Sequence, residues 1–470
     1  MSSYKPSPRL PAFIVPSRRS FLAGSAALGL TPLLACAPRM QDAAINTSKF
    51  AAATPVVFVH GNGDTAALWH TTAWRWESNG YPAGRLFAVD FPYPLARGND
   101  EEYQAGRSST QDQFEQLSAA IQQALQESKA GRVALVGSSR GGNAIRNYLK
   151  NGPGAAYVSH AVLCGTPNHG VIVSNNQMVG SEFNGTSDFL RKLNSGSEIV
   201  PGVAWMTTRS DGQDKFAQPD GAALGLAGTA TGVTMDGPAL AGAKNIVLPG
   251  LDHREVAFHE RAFAPIWEFI VGSPPATVAI LPEALPVLNG KVNAMVRGAP
   301  TNLPAEGARV EIYETDPQTG ARRRQVHARV TGVDGYWGPF TASPTATYEF
   351  VISVASQTTT HIYRSPFPRS SSQIHLRTAV VAERDRQAGS IITLSRPRGY
   401  FGPARGDVIT FDGQPASGIP AGIPVNSSAT LTLPRGEAQR TVVCRFNTET
   451  IAVQSWNAID DRAVIAELHY

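Results

Sequence analysis

Val133-Ala134-Leu135-Val136-Gly137-Ser138-Ser139-Arg140-Gly141-Gly142 is a short apolar run that delivers a serine into a Gly-x-Ser-x-Gly turn. The run reads as a buried parallel strand, and the turn opens a helix. Ahead of it Phe114, Leu117, Ile121 and Leu125 recur at helical spacing, which completes a helix-strand-turn-helix order. In that context the motif reads as a nucleophile elbow. Ser139 then sits on a strained turn, and Gly137 and Gly141 stand where side chains would collide with the neighbouring strand and helix. In a chain rich in glycine and serine the five-residue pattern also arises by chance, so its context carries the reading.

Strand and helix signals alternate around the elbow. Pro55 to Val59 is the first ordered strand, running into His60-Gly61-Asn62-Gly63. Arg85 to Val89 follows, then a helix over 111–128, the elbow strand and Ala161 to Cys164. Gly202 to Thr208 reads as the penultimate strand and Asn245 to Leu248 as the last, with a closing helix from about Phe258 to Ile270. This order predicts a parallel, helix-covered sheet. Gly272-Ser273-Pro274-Pro275 reads as a linker. From 276 to 470 the pattern becomes short β-branched runs, such as Val292 to Val296, Arg309 to Tyr313 and Tyr348 to Ile352, broken by turn signals at Asn289-Gly290 and Asp334-Gly335. That region is all-β, a sandwich or barrel of one or two subdomains.

A serine hydroxyl needs an imidazole to take its proton, and the imidazole needs a carboxylate to fix its tautomer. His253 has the expected place, in a loop after the last strand and before the last helix; His60, His160, His169 and His259 read as structural or solvent-facing. For the acid, Asp211 precedes a glycine, the usual site of a turn-forming aspartate, whereas Asp214 stands past the turn with Phe216 two residues on. Asp214 is preferred over Asp211, and Asp220, Asp236 and Asp252 are weaker. The oxyanion hole is expected from the backbone amides of Arg140 and of Asn62. No cofactor is called for, and no Cys or His grouping has metal-ligand spacing. Cys164 and Cys444 fall in different domains and read as buried thiols.

The N-terminal segment carries a separate message. Of 41 Lys and Arg, Lys5, Arg9, Arg18 and Arg19 precede Cys36, with no acid among them; the remaining 37 balance 37 Asp and Glu. Nothing in that balance attracts nucleic acid. Ser17-Arg18-Arg19-Ser20-Phe21-Leu22 and the apolar run to Leu34 resemble a twin-arginine export signal, too short and too rich in small residues to span a membrane. Leu33-Leu34-Ala35-Cys36 resembles a lipoprotein box, which implies acylation of Cys36 after cleavage; plain cleavage to a soluble form is the alternative. Ala37 is not the aspartate of an inner-membrane retention signal. The expected layout is a signal over 1–36, a tether over 37–53, a catalytic domain over 54–271 and the β region over 276–470, in a protein exported to the periplasm or outer membrane as a lipoprotein, or secreted.

Val59-His60-Gly61-Asn62, the elbow, and Leu163-Cys164-Gly165-Thr166-Pro167-Asn168-His169-Gly170 together resemble the bacterial lipase and esterase branch of the α/β-hydrolases. Ser187 to Asn194 and Leu240 to Ile246 extend the likeness to about residues 54–270, and two-domain lipases with a β-rich C-terminal domain share the layout. Gly332 to Gly338 resembles a hairpin of transthyretin-like sandwich domains. Ser138 replaces the histidine, and Arg140 the methionine or glutamine, usual in those lipases. The resemblance implies a serine carboxylester hydrolase of hydrophobic esters, a polyester being the next substrate class. A non-catalytic envelope lipoprotein built on the same scaffold is the competing reading. Met178, Phe183, Phe189 and Leu190 are candidates for a lid or acyl wall, and Trp69, Trp74 and Trp76 for pocket lining or core. Tyr336, Trp337, Tyr363, Phe367, Tyr400 and Phe401 suit a surface-binding or structural role in a region expected to do no chemistry.

Overall fold

A computed structural model describes residues 13–16, 50 and 52–470. The twin-arginine motif and Cys36 lie outside the described residues. Six strands, β1 (Val56–Val59), β2 (Leu86–Asp90), β3 (Val133–Ser138), β4 (Val158–Cys164), β5 (Ala204–Arg209) and β6 (Lys244–Val247), form one sheet in the order β2-β1-β3-β4-β5-β6. Every pairing among these six is parallel, and the backbone of Phe13–Pro16 adds an antiparallel strand beside β2.

Alternation along each strand divides the core into two faces. Val56 and Phe58 point to one, with Trp69, Trp76, Phe263 and Trp267 from α1 (His70–Ser78), the turn before it, and α5 (Glu260–Val271). Val57 and Val59 point to the other, under α2 (Thr110–Ser128) and α3 (Arg140–Asn151). Leu117, Ile121 and Leu125 are the buried stripe of α2, each contributing about 1.5–3 kcal/mol by leaving water. Ser109 and Asp112 form a capping box at its start. The short helix α4 (Asp188–Asn194) follows the turn at Gly165 to Gly170. Phe50 and Ala53 already pack on this core, Phe50 with its ring 5.6 Å from Trp267, so the ordered domain begins before the expected tether ends.

The region after the linker is all-β apart from single 3-10 turns. Its largest sheet contains β7 (Arg309–Thr315), β8 (Arg322–Val330), β9 (Thr347–Ser353), β10 (Thr359–Arg364), β11 (Ser390–Ser395), β12 (Ser428–Leu433) and β13 (Arg462–Glu467), in the order β8-β7-β9-β10-β13-β11-β12. Two apolar clusters lie along it, one around Trp337, Phe350 and Phe367, the other around Ile392, Phe401 and Val453. Trp337, Tyr363, Phe367, Tyr400 and Phe401 are all buried, which removes the expectation that they form an exposed binding face. Trp69, Trp74 and Trp76 are core as well; Trp74 belongs to the β region's cluster and donates Nε1 to Ser370 O at 2.9 Å.

The two halves are joined by buried charge. Lys291 meets Asp90 at the end of β2, and Arg396 and Arg405 meet Glu255, each at 2.5 Å. Arg398 places all five N–H groups on neutral acceptors, among them Ala67 O, Leu68 O and His70 Nδ1, and burial pushes it down to about 9 against the pull of the nearby Glu467 and Glu449 carboxylates. Cys164 and Cys444 are buried and free, in separate clusters. Among the described residues no helix is long and apolar enough to cross a membrane.

Candidate active site

Ser139 stands between β3 and α3 with φ 52° and ψ −121°, a sparsely populated conformation costing on the order of 1–3 kcal/mol. Close backbone packing holds it there. A Cβ on Gly137 would come 2.7 Å from Gly142 N, and one on Gly141 would come 2.4 Å from Val59 O. Gly142 would strike Thr166 Oγ1 at 1.8 Å. These three glycines let strand, helix and neighbouring loop converge behind the serine.

The loop after β1 crosses in front of this turn. A Cβ on Gly61 would lie 3.1 Å from Ser139 Cβ, so the backbone leading to Asn62 abuts the serine. Asn62 Oδ1 accepts from Ala96 N at 2.7 Å, which pins the loop. His60 is fully buried, with Nδ1 2.8 Å from Gly61 O and Nε2 accepting from Phe91 N at 3.1 Å, a structural histidine as expected. Asn302 of the β region donates to Asp64 O and Phe91 O and braces the loop from outside.

His253 lies between β6 and α5, and its Nδ1 is 2.9 Å from Asp214 Oδ2 with both side chains buried. That contact fixes the proton on Nδ1 and leaves Nε2 able to accept one. Asp214 is further held by accepting Phe216 N at Oδ1, 2.8 Å, while the Phe216 ring packs edge-on against the imidazole at 4.7 Å. Asp211 does not reach His253; it is exposed and accepts Gly250 N at 2.9 Å. Asp252 instead shapes the histidine turn, accepting Arg254 N and Glu255 N at Oδ1. Gly165, at φ 56°, lets the turn after β4 press to 2.8 Å of His253 O, measured from the Cβ position it lacks.

Ser139, His253 and Asn62 line one cavity of about 390 Å³. Val171, Met178, Phe183, Phe216 and Leu224 supply apolar wall, and Ser138, Arg97, Arg107 and Arg254 supply polar rim. Met178 and Phe183 thus reach the cavity from the expected lid segment, whereas Leu190 is core and Phe189 lies away from the cavity. Arg140 places only its backbone at the turn. Its guanidinium is fully buried and makes a two-pronged pair with Glu182 at 2.7 and 2.6 Å, the remaining donors going to Pro94 O, Ser108 Oγ and Ser108 O. The charge beside the serine is therefore neutralised away from the cavity.

Tyr400 also lines the cavity, although it belongs to the β region. Nothing in its local sequence distinguishes it from the other aromatic residues there; only the tertiary fold brings it to the site.

Parallel strand order, serine turn, and acid and histidine loops at the strand ends decide the fold. It is that of an α/β-hydrolase. Residues 55–209 match the family model for palmitoyl protein thioesterase, and residues 287–381 match that for the lipase C-terminal domain. Comparison with curated proteins gives no match. Similar solved structures include Bacillus licheniformis lipase BlEst2 in its mature form, at 21% identity over 46% of this chain and 91% of that one, TM-score 0.34. Aspergillus fumigatus lipase B matches at 19% identity over 50% and 56% of the two chains, TM-score 0.35, and Bacillus subtilis carboxylesterase CesB at 14% over 47% and 85%, TM-score 0.27. In this hydrolase fold the Gly165 to Gly170 turn and the loops after β1, β3, β5 and β6 all converge on the cavity.

Proposed function

We propose that the chain is an exported serine carboxylester hydrolase acting on lipid or other hydrophobic esters. The observation that carries this reading is the buried Asp214–His253 pair opening onto the same partly apolar cavity as Ser139. Ser139 Oγ attacks the ester carbonyl while His253 Nε2 takes its proton. The backbone amides of Asn62 and Arg140 receive the oxyanion, worth about 3 kcal/mol of barrier for each donor. His253 then protonates the departing alkoxide, and a water activated by the same imidazole releases the acyl group from Ser139. The match to a thioesterase family extends the candidate substrates to acyl thioesters, cleaved by the same steps with a thiolate leaving.

Labelling by a fluorophosphonate probe tests the reading. The wild type is expected to label and Ser139→Ala to lose both labelling and turnover while remaining folded. An unlabelled, inactive wild type favours the non-catalytic envelope protein, and a substrate panel of short esters, triglycerides and soluble polyester separates lipase from polyester depolymerase. For location, we propose periplasmic or outer-membrane anchoring through an acylated Cys36, rather than a secreted form. Cys36→Ser is expected to leave the membrane fraction; an unchanged distribution with no lipid on the wild type overturns the anchor.

A further inference from the structure

Lys215 and Arg254 are the residues that directly follow Asp214 and His253. Both bring their charge to one ring. Lys215 Nζ lies 4.2 Å from the Tyr400 ring centroid, and Arg254 Cζ lies 5.3 Å from it, within the range of cation–π attraction. The Lys215 ammonium also lies 5.0 Å from the Phe216 ring, the ring packed against His253, and donates to Val425 O in the β region. Arg254 is anchored at both ends, to Pro397 O of the β region and to Asp64 in the loop that carries Asn62.

The backbone of Tyr400 is held as firmly as its ring. Its N–H donates to Asp252 Oδ2 at 2.6 Å, and its carbonyl accepts from Arg396 and Arg405, whose guanidiniums also grip Glu255. Asp252 and Glu255 bracket the turn in which His253 lies. Burial pushes the Tyr400 phenol up to about 12, so the ring carries no charge of its own between the two cations.

We propose that Tyr400 is a positioning residue of the hydrolytic site, a keystone from the β region that fixes the acid loop and the histidine loop relative to each other. The inference rests on the hydrolase reading above. It assigns the β region a part in the chemical step, where the sequence predicts none. Losing the keystone displaces the imidazole relative to Ser139, and errors of about an ångström in such geometry cost up to roughly 100-fold in rate.

The test is steady-state hydrolysis of a short, soluble p-nitrophenyl ester by the full chain, comparing wild type with Tyr400→Leu, Tyr400→Phe and Lys215→Met. Tyr400→Leu is expected to lower kcat roughly 10- to 100-fold with KM nearly unchanged. Tyr400→Phe, which keeps the ring, recovers most of that loss, and Lys215→Met gives a smaller fall in kcat alone. If Tyr400→Leu does not fold, Lys215→Met carries the test, and an unchanged kcat there overturns the proposal. So does a Tyr400→Leu effect confined to KM, the mark of a simple substrate wall, or a Tyr400→Phe as damaged as the leucine variant. A wild type that neither turns over ester nor takes the fluorophosphonate fails the hydrolase reading and this inference with it; an active wild type indifferent to Tyr400→Leu fails this inference alone.

Discussion

The Lys291 ammonium lies 2.5 Å from the Asp90 carboxylate, both buried, across the seam between the parallel sheet and the β region. Asp90 Oδ1 also accepts Ala66 N, so one carboxylate ties the end of β2 both to its own domain and to the next. Glu77 with Arg369 and Glu255 with Arg396 repeat the arrangement elsewhere along the seam. Removing the β region would take Lys291 from Asp90 and Arg396 and Arg405 from Glu255, and would uncover Trp74.

A chain ending at Val271 is therefore expected to be insoluble or unfolded, and to lose activity on a short soluble ester and on emulsified lipid alike. Circular dichroism and both hydrolysis assays check this. Wild-type turnover of the short ester by a folded, truncated chain would show that the seam is dispensable.

The choice between the two aspartates can be read from kinetics. Asp214→Asn is expected to lower kcat about 10⁴-fold by allowing the wrong imidazole tautomer. Asp211→Asn, which weakens only the bond to Gly250 N, should change kcat less than about tenfold. The opposite ranking would move the acid to Asp211.

Arg140 and Glu182 illustrate a charge pair that is costly to halve. Glu182→Ala strands a buried guanidinium and is expected to destabilise by about 3–5 kcal/mol in urea unfolding. Arg140→Met combined with Glu182→Leu should recover much of that loss, since both charges leave together. A Glu182→Ala variant as stable as wild type would mean that the guanidinium finds water.

His375 gives a pH-dependent signature. It accepts Lys291 N at Nδ1, and burial pushes its pKa down to about 3, so the folded chain keeps it neutral where the unfolded chain protonates it near 6.5. Below pH 6.5 the unfolded state thus binds the extra proton, and this group's contribution to stability falls by about 1.4 kcal/mol per pH unit down toward pH 3. His375→Gln removes that penalty. The stability difference between wild type and variant, measured by urea unfolding from pH 7.5 to 4.5, should shift toward the variant as pH falls below 6.5; a constant difference would contradict the neutral, buried assignment.

Much of this molecule is legible in local pattern. The alternation of Val56 to Val59, the stripe of Leu117, Ile121 and Leu125, and the spacing of Gly137, Ser139 and Gly141 all follow from periods and steric needs that act over a few residues. The contact between His253 and Asp214 is readable because strand ends constrain where loops can meet. Those of Tyr400, Lys291 and Asn302 are not, because their partners lie far away in sequence and become neighbours only when two domains dock. Arg140 shows the converse: its place in the sequence, directly after the serine, does not disclose where its charge goes, and the distant Glu182 draws the guanidinium away from the cavity.

β13 lies in the middle of its sheet, parallel to β10 on one side and β11 on the other, although it comes after both in the chain. The two flanking strands cannot be bridged until residue 467 exists. A ribosome must therefore finish this stretch before the largest sheet of the β region can close, although the seam residues Lys291, Arg396, Tyr400 and Arg405 have been made before it. On the hydrolase reading, the serine turn is made early in synthesis and the β region that packs beside it is completed late, so a nascent chain is expected to gain turnover only after that region has closed.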